Sequence, residues 1–299
     1  EIGLGIPAEP LFRSRSEEGM IFDRVGLRLE TGLVGKYSIP GMGAITANVE
    51  GEGETEEDTE ISYDKLTPDP KRISISVRIS NQLINQSAGK AYNELVKQAS
   101  EGIRRALNKR MFMTAQNLTS LSGPFKALAA ASATPAASIK TPAQKKAAKH
   151  ILFAGAIPTF KELMLLRTIP LVKGVRNLNG GYIMDAATAG DLRCTPKGAG
   201  GGRMILEDGM IDGIPVYETN YINEGTNKNY IGFGFWRYEG AGQFGETRMI
   251  VDPYTGAKQD CVIITINTDW SMTALRPEAF ALGECNFSGG SGSGSGSGN

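Results

Sequence analysis

The clearest hydrophobic pattern in the chain is an alternation between residues 72 and 80. Its sequence, RISISVRIS, puts an isoleucine or a valine at every second position and a serine or an arginine between them. Because successive side chains of a β-strand point to opposite faces, this period of two predicts a half-buried strand. Further strand-like segments cover residues 37–47 and 258–277, and the second has the strongest β-signal in the chain.

A helical period follows this strand, over residues 88–114. Apolar side chains recur there every three or four positions, which predicts one amphipathic helix. They are Tyr92, Leu95, Val96, Ala99, Ile103, Ala106, Leu107 and Met111. At 1.5 Å per residue the helix would be about 40 Å long, over twice the usual length, so we expect a strut. Ser87 can cap its N-terminus.

Shorter elements are predicted after the long helix. Residues 115–150 are rich in Ala, Ser, Thr and Lys. We expect a loop there with one short helix that starts at Pro142, since proline suits a first helical position. Thr159 and Glu162 form a capping-box pattern for another helix, which we expect Pro170 to stop.

The remaining pattern decides the fold class. Residues 181–184 predict a strand, followed by a short helix capped by Asp185, and strands are also expected within residues 209–222 and 229–238. Helices that are segregated from antiparallel strands indicate an α+β protein. The Gly/Ser-rich tail, residues 287–299, has the composition of a flexible linker.

The most unusual composition occurs at residues 48–65, which hold eight carboxylates before a single cation, Lys65. Strand-like sequence on both sides predicts a long two-stranded arm with an acidic, Gly-rich tip. The spacing lacks the DxDxDG pattern of a calcium loop, with its glutamate at the twelfth position. Three interpretations remain open: a solvated loop, a weak divalent-cation site, and an arm that pairs with Lys and Arg of a neighbour.

Composition argues against several classes of protein. The chain has 32 basic and 32 acidic residues, so no net field attracts it to nucleic acid or membrane. It has no run of about 18 apolar residues, so we expect no membrane span. Its cysteines, Cys194, Cys261 and Cys285, are too dispersed for a disulfide framework. The single histidine, His150, is expected to be solvated. We therefore predict no catalytic residue, no metal site and no cofactor.

Other local features have simple interpretations. A basic cluster consists of Lys140, Lys145, Lys146 and Lys149. It is either a solvated helix face or a contact for phosphate or for the acidic arm. Residues 197–204, KGAGGGRM, lack the Gly-Lys-Ser/Thr ending of a phosphate-binding loop and predict a surface loop. Trp236 and Trp270 lie in strand-like segments and are expected in the core.

The order of these elements resembles one known family. Strand, acidic arm, DKLTPDPKRISISVRISNQLINQS and then a long helix are similar to the major capsid proteins of tailed bacteriophages, with the Hong Kong 97-type fold that encapsulin shells share. The later segments GGYIMDAATAGDL, ILEDGMIDGIPVYETNYI and YIGFGFWRY resemble the same pattern, although FGFW replaces a motif that usually ends in an acid. The resemblance covers roughly residues 20–280.

The resemblance implies a division of the chain into five parts. They are an N-terminal arm (1–36), an extended acidic loop (37–72), a peripheral domain with the spine helix (73–158 and 246–286), an axial domain (159–245) and the tail (287–299). It also implies self-assembly into pentamers and hexamers of an icosahedral shell around double-stranded DNA, in the host bacterial cytoplasm. Scaffold, portal and cement proteins are further implied partners, and a membrane is not.

On this interpretation the acidic arm lies across an adjacent subunit. Its contacting acids would be Glu50, Glu52, Glu54, Glu56, Glu57, Asp58 and Glu60. Their partners would be Arg13, Arg15, Arg104, Arg105 and Lys109. Each exposed pair contributes only about 0.2–1 kcal/mol, but many repeated contacts act together. The alternatives are an encapsulin-like compartment, a virion decoration or adhesion protein and, least favoured, an enzyme.

Overall fold

The computed structural model describes residues 21–35, 39–42, 63–66, 69–86, 90–115, 121–175, 180–198 and 202–286. The α-helices in those ranges are α1 (Ile21–Val25), α2 (Asn81–Gln86), α3 (Lys90–Phe112), α4 (Pro124–Ala130), α5 (Pro142–Ala147), α6 (Phe160–Val172) and α7 (Ala186–Cys194). The strands are β1 (Arg28–Leu33), β2 (Ile39–Met42), β3 (Tyr63–Leu66), β4 (Lys71–Ser80), β5 (Thr134–Pro135), β6 (His150–Leu152), β7 (Gly180–Met184), β8 (Met210–Ile211), β9 (Ile214–Glu218), β10 (Tyr230–Phe235), β11 (Glu239–Asp252), β12 (Cys261–Ala274) and β13 (Phe280–Glu284).

The long amphipathic helix is confirmed as α3, with 23 residues. Its apolar stripe ends in the core, where Leu107 and Met111 are fully buried. A Cβ at Gly102 would lie only 2.7 Å from Ile75 Cδ1, so a glycine at this position lets α3 pack closely on β4. The predicted cap, Ser87, lies outside the described residues.

A four-stranded sheet supports this helix, in the order β1-β11-β12-β4. β11 and β12 have 14 residues each and pair antiparallel. The predicted alternation in β4 is confirmed, because its isoleucines and valine are buried or half-buried while Ser74, Ser76 and Arg78 are exposed. β1 pairs parallel with the first part of β11, from Arg28 opposite Gly240.

A seven-stranded sheet contains most of the core, in the order β5-β6-β13-β10-β7-β9-β8. Trp236 follows β10 and contacts Phe112, Phe125 and Phe280 edge-to-face, with ring centroids 5.5–5.7 Å apart. Since Phe112 belongs to α3 and Phe280 to β13, this aromatic cluster joins the long helix to the sheet. Trp270 is also buried, so the core position predicted for both tryptophans is confirmed.

The glycines of the segment YIGFGFW have a packing role. A Cβ at Gly232 would lie 2.3 Å from Phe125 Cζ, and one at Gly234 would lie 2.3 Å from Phe280 Cδ1. Contacts this short do not occur between real atoms, so the two glycines make room for aromatic rings on one face of β10.

Two predictions for the middle of the chain are wrong. Helix α6 does not stop at Pro170 but continues to Val172, because a proline in the last turn removes only one backbone hydrogen bond. Lys173 is its C-cap, and Gly174 follows with a φ of 78°, which suits a left-handed residue after the C-cap. Residues 121–150 are not a loop with one short helix, since they include α4 in addition to the predicted α5.

His150 is buried and not solvated, which corrects another prediction. Its Nδ1 lies 2.8 Å from the Ala131 carbonyl oxygen. Its Nε2 lies 3.3 Å from Glu284 Oε2, although that contact lacks hydrogen-bond geometry. Glu284 in turn accepts from Lys228 Nζ at 2.8 and 3.0 Å. The basic sequence around His150 suggested exposure, but its place in β6 directs the ring inward.

The sheets bear on the predicted division of the chain. β2 and β3 pair antiparallel, and they flank the acidic stretch along the sequence. Residues 43–62, which contain the contacting acids, lie outside the described residues, as do residues 1–20 and the Gly/Ser tail. β5, β6 and β13 fall within the residues predicted for the peripheral domain. They pair, however, in the seven-stranded sheet with β7–β10, which fall within the residues predicted for the axial domain.

Candidate assembly surfaces

The outer half of β11 is an exposed apolar edge. β1 pairs with β11 as far as Phe244, and among the described residues only β12 pairs with Arg248–Asp252. Met249, Ile250 and Val251 are 48%, 54% and 45% exposed. Successive side chains alternate, so both faces of the strand carry apolar surface, and its free edge presents backbone donors and acceptors. This edge can accept a strand or an apolar face from another molecule.

A second apolar surface is the groove between β4 and α3, with a volume of about 430 Å³. Ile75, Val77 and Leu95 line it, together with Leu83 of α2, which is 40% exposed. Arg105 also lines the groove, and its Nε is buried without a hydrogen-bond partner among the described residues. The groove can bury an apolar side chain.

The β8 edge of the seven-stranded sheet carries a third exposed apolar surface. β8 and β9 are joined by Asp212 and Gly213, with φ of 51° and 75°. Positive φ at both central residues is the geometry of a tight hairpin turn, which Asp-Gly satisfies. Met204 and Met210 beside this hairpin are 36% and 48% exposed. Methionine adapts its shape readily, which suits a contact between molecules.

Helix α1 is attached to the same part of the sheet. The Tyr217 hydroxyl donates to the Arg24 carbonyl oxygen at 2.8 Å, and the Arg24 guanidinium lies 5.9 Å from the centre of the Tyr217 ring. Burial raises the pKa of Tyr217, so the hydroxyl stays a donor. Arg167 Nη1 lies 3.7 Å from Asp212 Oδ2 across the adjoining concavity. The two contacts of Arg24 hold α1 against Tyr217 of β9.

Burial shifts the pKa values of Cys285 and Glu239. Burial raises the pKa of the Cys285 thiol to about 12, so the thiol stays protonated and unreactive. Burial also raises the pKa of Glu239 well above its ordinary value, and neither of its carboxylate oxygens has a hydrogen-bond partner in the described part of the chain. Within those same ranges, no three His, Cys, Asp or Glu side chains are placed to hold a metal ion.

Comparison with known proteins identifies the family. The phage capsid family matches residues 8–285, nearly the whole chain. The chain belongs to the phage capsid family. It is therefore a structural protein of a capsid shell, and the α+β fold class is confirmed. A comparison with curated protein sequences finds no match.

Solved structures of low sequence identity share the fold of this capsid protein. One is described as the capsid of an empty GTA particle computed with C5 symmetry, at 15% identity, a TM-score of 0.69 and 93% coverage of each chain. Another, from Mycobacterium phage Adephagia, has 10% identity, a TM-score of 0.65 and 91% coverage of each chain. A third, the capsid of Myoviridae phage XM1, has 9% identity, a TM-score of 0.66 and coverage of 92% of this chain and 95% of the other.

In the described part of this capsid protein, no helix is long and apolar enough to cross a membrane.

The predicted contact residues of this capsid protein have different environments. Arg104 is exposed on α3, and Arg105 lines the groove. Lys109 forms an ion pair with Glu224 of its own chain, so its charge is already compensated within the subunit. The seven acids of the loop, together with Arg13 and Arg15, lie outside the described residues.

The apolar edge of β11 was not predicted from the sequence. The signal was present in the run Met249-Ile250-Val251, between Arg248 and Asp252. Three apolar residues in succession break the alternation of a half-buried strand and indicate apolar surface on both faces. The ion pair of Lys109 could not be foreseen, since Glu224 lies 115 positions later in the sequence.

Proposed function

We propose that this capsid protein assembles into pentamers and hexamers of an icosahedral shell that encloses double-stranded DNA, and that it has no catalytic role. The observation that carries this proposal is the apolar edge Met249–Val251 on a chain of the phage capsid family. One subunit leaves this edge in water, and contact with a neighbouring copy would bury it. Apolar burial contributes about 25 cal/mol per Å².

The charged loop adds a second kind of contact to the proposal. The carboxylates of residues 50–60 would lie against cations of an adjacent subunit, and Arg104, which is exposed on α3, is the best placed of the described candidates. Lys109 is a weaker candidate because Glu224 already neutralises it. Screening by salt should weaken these contacts, whereas the apolar edge should respond little to salt.

The remaining parts of the proposal follow the family. Residues 1–36 would be the N-terminal arm and residues 37–72 the extended loop. Residues 73–158 and 246–286 would form the peripheral domain, and residues 159–245 would form the axial domain around pentamer and hexamer centres. Assembly would occur in the host bacterial cytoplasm, with scaffold, portal and cement proteins as partners.

Electron microscopy of purified particles tests the proposal. The wild-type chain should form closed icosahedral shells. Ile250→Lys places a charge on the exposed edge, where lysine prevents strand pairing, and should reduce shells to free subunits or small rings. Ile157→Lys is the matched control, since Ile157 is a 43% exposed isoleucine away from that edge, and it should still assemble.

Four outcomes separate the alternatives. Shells that contain DNA support the proposal, and shells that contain protein cargo instead would assign the chain to an encapsulin-like compartment. Normal shells from Ile250→Lys would show that the β11 edge is not an assembly contact. Uniform monomers of the wild-type chain, even with a scaffold protein added, would contradict the shell function itself.

A further inference from the structure

The charges of this capsid protein are unevenly distributed along the chain. Residues 102–161 contain ten Lys or Arg and no Asp or Glu, although the whole chain has a net charge of zero. This segment runs from the middle of α3 to the start of α6. Four of its cations, which we call the lysine patch, lie on and beside α5; they are Lys140, Lys145, Lys146 and Lys149.

The lysine patch is exposed and its charge is not compensated. Lys140, Lys146 and Lys149 are exposed and Lys145 is half-buried. None of the four has an ion pair among the described residues, whereas Lys109 and Lys228 are paired with glutamates. Four adjacent ammonium groups without an acid create a positive potential that attracts a polyanion.

Two further charged groups, Lys173 and Glu278, lie next to the patch. Lys173 lies beside the patch, and its Nζ donates to the Ala148 carbonyl oxygen at 2.7 Å. Burial and the charge of Lys149 both lower the pKa of Lys173. Glu278 opposes that shift, but its carboxylate lies 3.6 Å from the Arg276 guanidinium and is already partly neutralised.

The backbone under the patch is held in place by a capping box. The Gln144 side chain accepts from the backbone N–H groups of Lys140 and Thr141, each at 2.9 Å, and the Thr141 hydroxyl accepts from the Gln144 N–H. This arrangement fixes Lys140 relative to α5. The lysines therefore project from an ordered scaffold, so less entropy is lost when they bind.

A shallow concavity adjoins the patch, with a volume of about 300 Å³. Ser132, Thr134, Ser138 and Lys149 are among its lining residues, with small alanines between them. Small side chains allow a close approach, and hydroxyl groups together with lysines are the usual donors to phosphate oxygens. Residues 126–149 contain no aromatic side chain. The surface therefore lacks the stacking platforms that single strands use.

We propose that the lysine patch, with the hydroxyl-lined concavity beside it, binds the phosphate backbone of double-stranded DNA without sequence preference. This inference rests on the proposed function, since it gives the enclosed DNA a contact surface on the shell protein. The acidic segment of another subunit is the competing occupant. DNA is favoured because hydroxyl donors and lysines occur together, which suits a continuous row of phosphates.

Salt-dependent binding of a short random-sequence duplex to the full-length, unassembled subunit tests the inference. Fluorescence anisotropy gives the affinity between about 50 and 200 mM salt, and each phosphate contact contributes a slope of about 0.9 in the log–log plot. The variant Lys140→Gln/Lys145→Gln/Lys146→Gln/Lys149→Gln should reduce the slope by up to about 3.6. Across that salt range wild type should thus lose roughly 100-fold more affinity than the variant.

The matched control changes four exposed cations elsewhere, and it should keep the wild-type slope. It is Lys97→Gln/Arg203→Gln/Arg237→Gln/Lys258→Gln. If the quadruple patch variant does not fold, Lys146→Gln/Lys149→Gln should show about half of the slope change. Equal slopes for patch and control variants would overturn the inference.

Two competitors complete the design. The first competitor is a peptide of residues 48–64. If it binds wild type but not the patch variant, while both proteins bind the duplex equally, the DNA assignment is overturned in favour of the acidic segment. Tighter binding of single strands than of duplex would overturn the duplex assignment. Microscopy of the same proteins separates this inference from the proposed function. If wild type forms shells but the patch variant keeps the wild-type salt slope for duplex binding, only the DNA surface is rejected.

Discussion

Every residue of β10 and β13 is buried, whereas seven consecutive residues of β11, Gly245–Val251, are exposed. β10 and β13 are neighbours in the middle of the seven-stranded sheet, and α4 and α6 pack nearby. The exposed half of β11 belongs to the four-stranded sheet, and β1 covers only the other half of that strand.

The difference indicates two separate roles within one subunit. The seven-stranded sheet completes its core with residues of its own chain, so its contacts determine whether the subunit folds. The four-stranded sheet leaves apolar surface on β11 that another molecule can bury. Substitutions in the first region should therefore change the stability of the subunit, and substitutions in the second should change assembly.

The largest expected effect is that of Trp236→Ala. The indole contacts three aromatic rings, and its Nε1 donates to the Gly181 carbonyl oxygen at 3.2 Å. Removal of a fully buried tryptophan should lower the free energy of unfolding by about 3–5 kcal/mol in denaturant titrations. Tyr254→Ala is the control, because Tyr254 is 85% exposed, and it should change stability by less than about 0.5 kcal/mol. Similar losses of unfolding free energy in both variants would remove the distinction between a folding region and an assembly region.

The next effect concerns assembly alone. The variant Glu54→Gln/Glu56→Gln/Glu57→Gln/Asp58→Asn removes four charges from the acidic loop. If each charge has a partner on a neighbour, the loss is about 1–4 kcal/mol per subunit, which should lower the yield of shells in sedimentation or microscopy. The free energy of unfolding of the unassembled subunit should not change. Normal shell yields at low salt would show that the loop is only solvated.

A smaller effect, on the pH dependence of stability, is expected from Glu239, the buried first residue of β11. Burial raises the pKa of this carboxyl group, so the folded state keeps its proton at a pH where the unfolded state, with an ordinary pKa near 4.3, has lost it. Because the unfolded state then binds fewer protons, stability falls as pH rises above about 4, by up to about 1.4 kcal/mol per pH unit, until the folded carboxyl also ionises.

Glu239→Gln should remove this dependence and should be more stable than wild type at neutral pH. Denaturant titrations across the acidic and neutral range would measure both curves. Glu278→Gln serves as the control, since Glu278 is 54% exposed and should leave the slope unchanged. Parallel curves for wild type and Glu239→Gln would mean that Glu239 is ionised in the fold.

Local patterns in the sequence predicted much of the fold but little of the candidate surfaces. The alternation of β4 and the stripe of α3 are local periods, and the Thr159–Glu162 capping box spans three residues, so each could be predicted without knowledge of the neighbours. The box is confirmed, with the Thr159 N–H donating to Glu162 Oε2 at 2.8 Å. The burial of His150 depends on β13, about 130 positions later, and was therefore predicted wrongly.

The smallest expected effect is that of the ion pair between Lys109 and Glu224, which joins the last turn of α3 to the segment after β9. Thr114 strengthens the same junction, since its hydroxyl donates to the Ile222 carbonyl oxygen at 2.6 Å. The two charged side chains are 38% and 42% exposed, so their coupling should be only about 0.2–1 kcal/mol. A double-mutant cycle with Lys109→Gln and Glu224→Gln should measure it, with a smaller value at high salt.

Arg104→Gln provides the contrasting variant on the same helix. Arg104 is exposed and has no ion pair among the described residues, so its loss should leave unfolding unchanged and reduce the yield of shells. Lys109→Gln should do the reverse, because its charge is used within the subunit. Equal loss of assembly in Lys109→Gln and Arg104→Gln would show that the contact surface between subunits includes the Lys109–Glu224 pair. The boundary between the folding region and the assembly region would then lie further along α3 than this intrachain ion pair indicates.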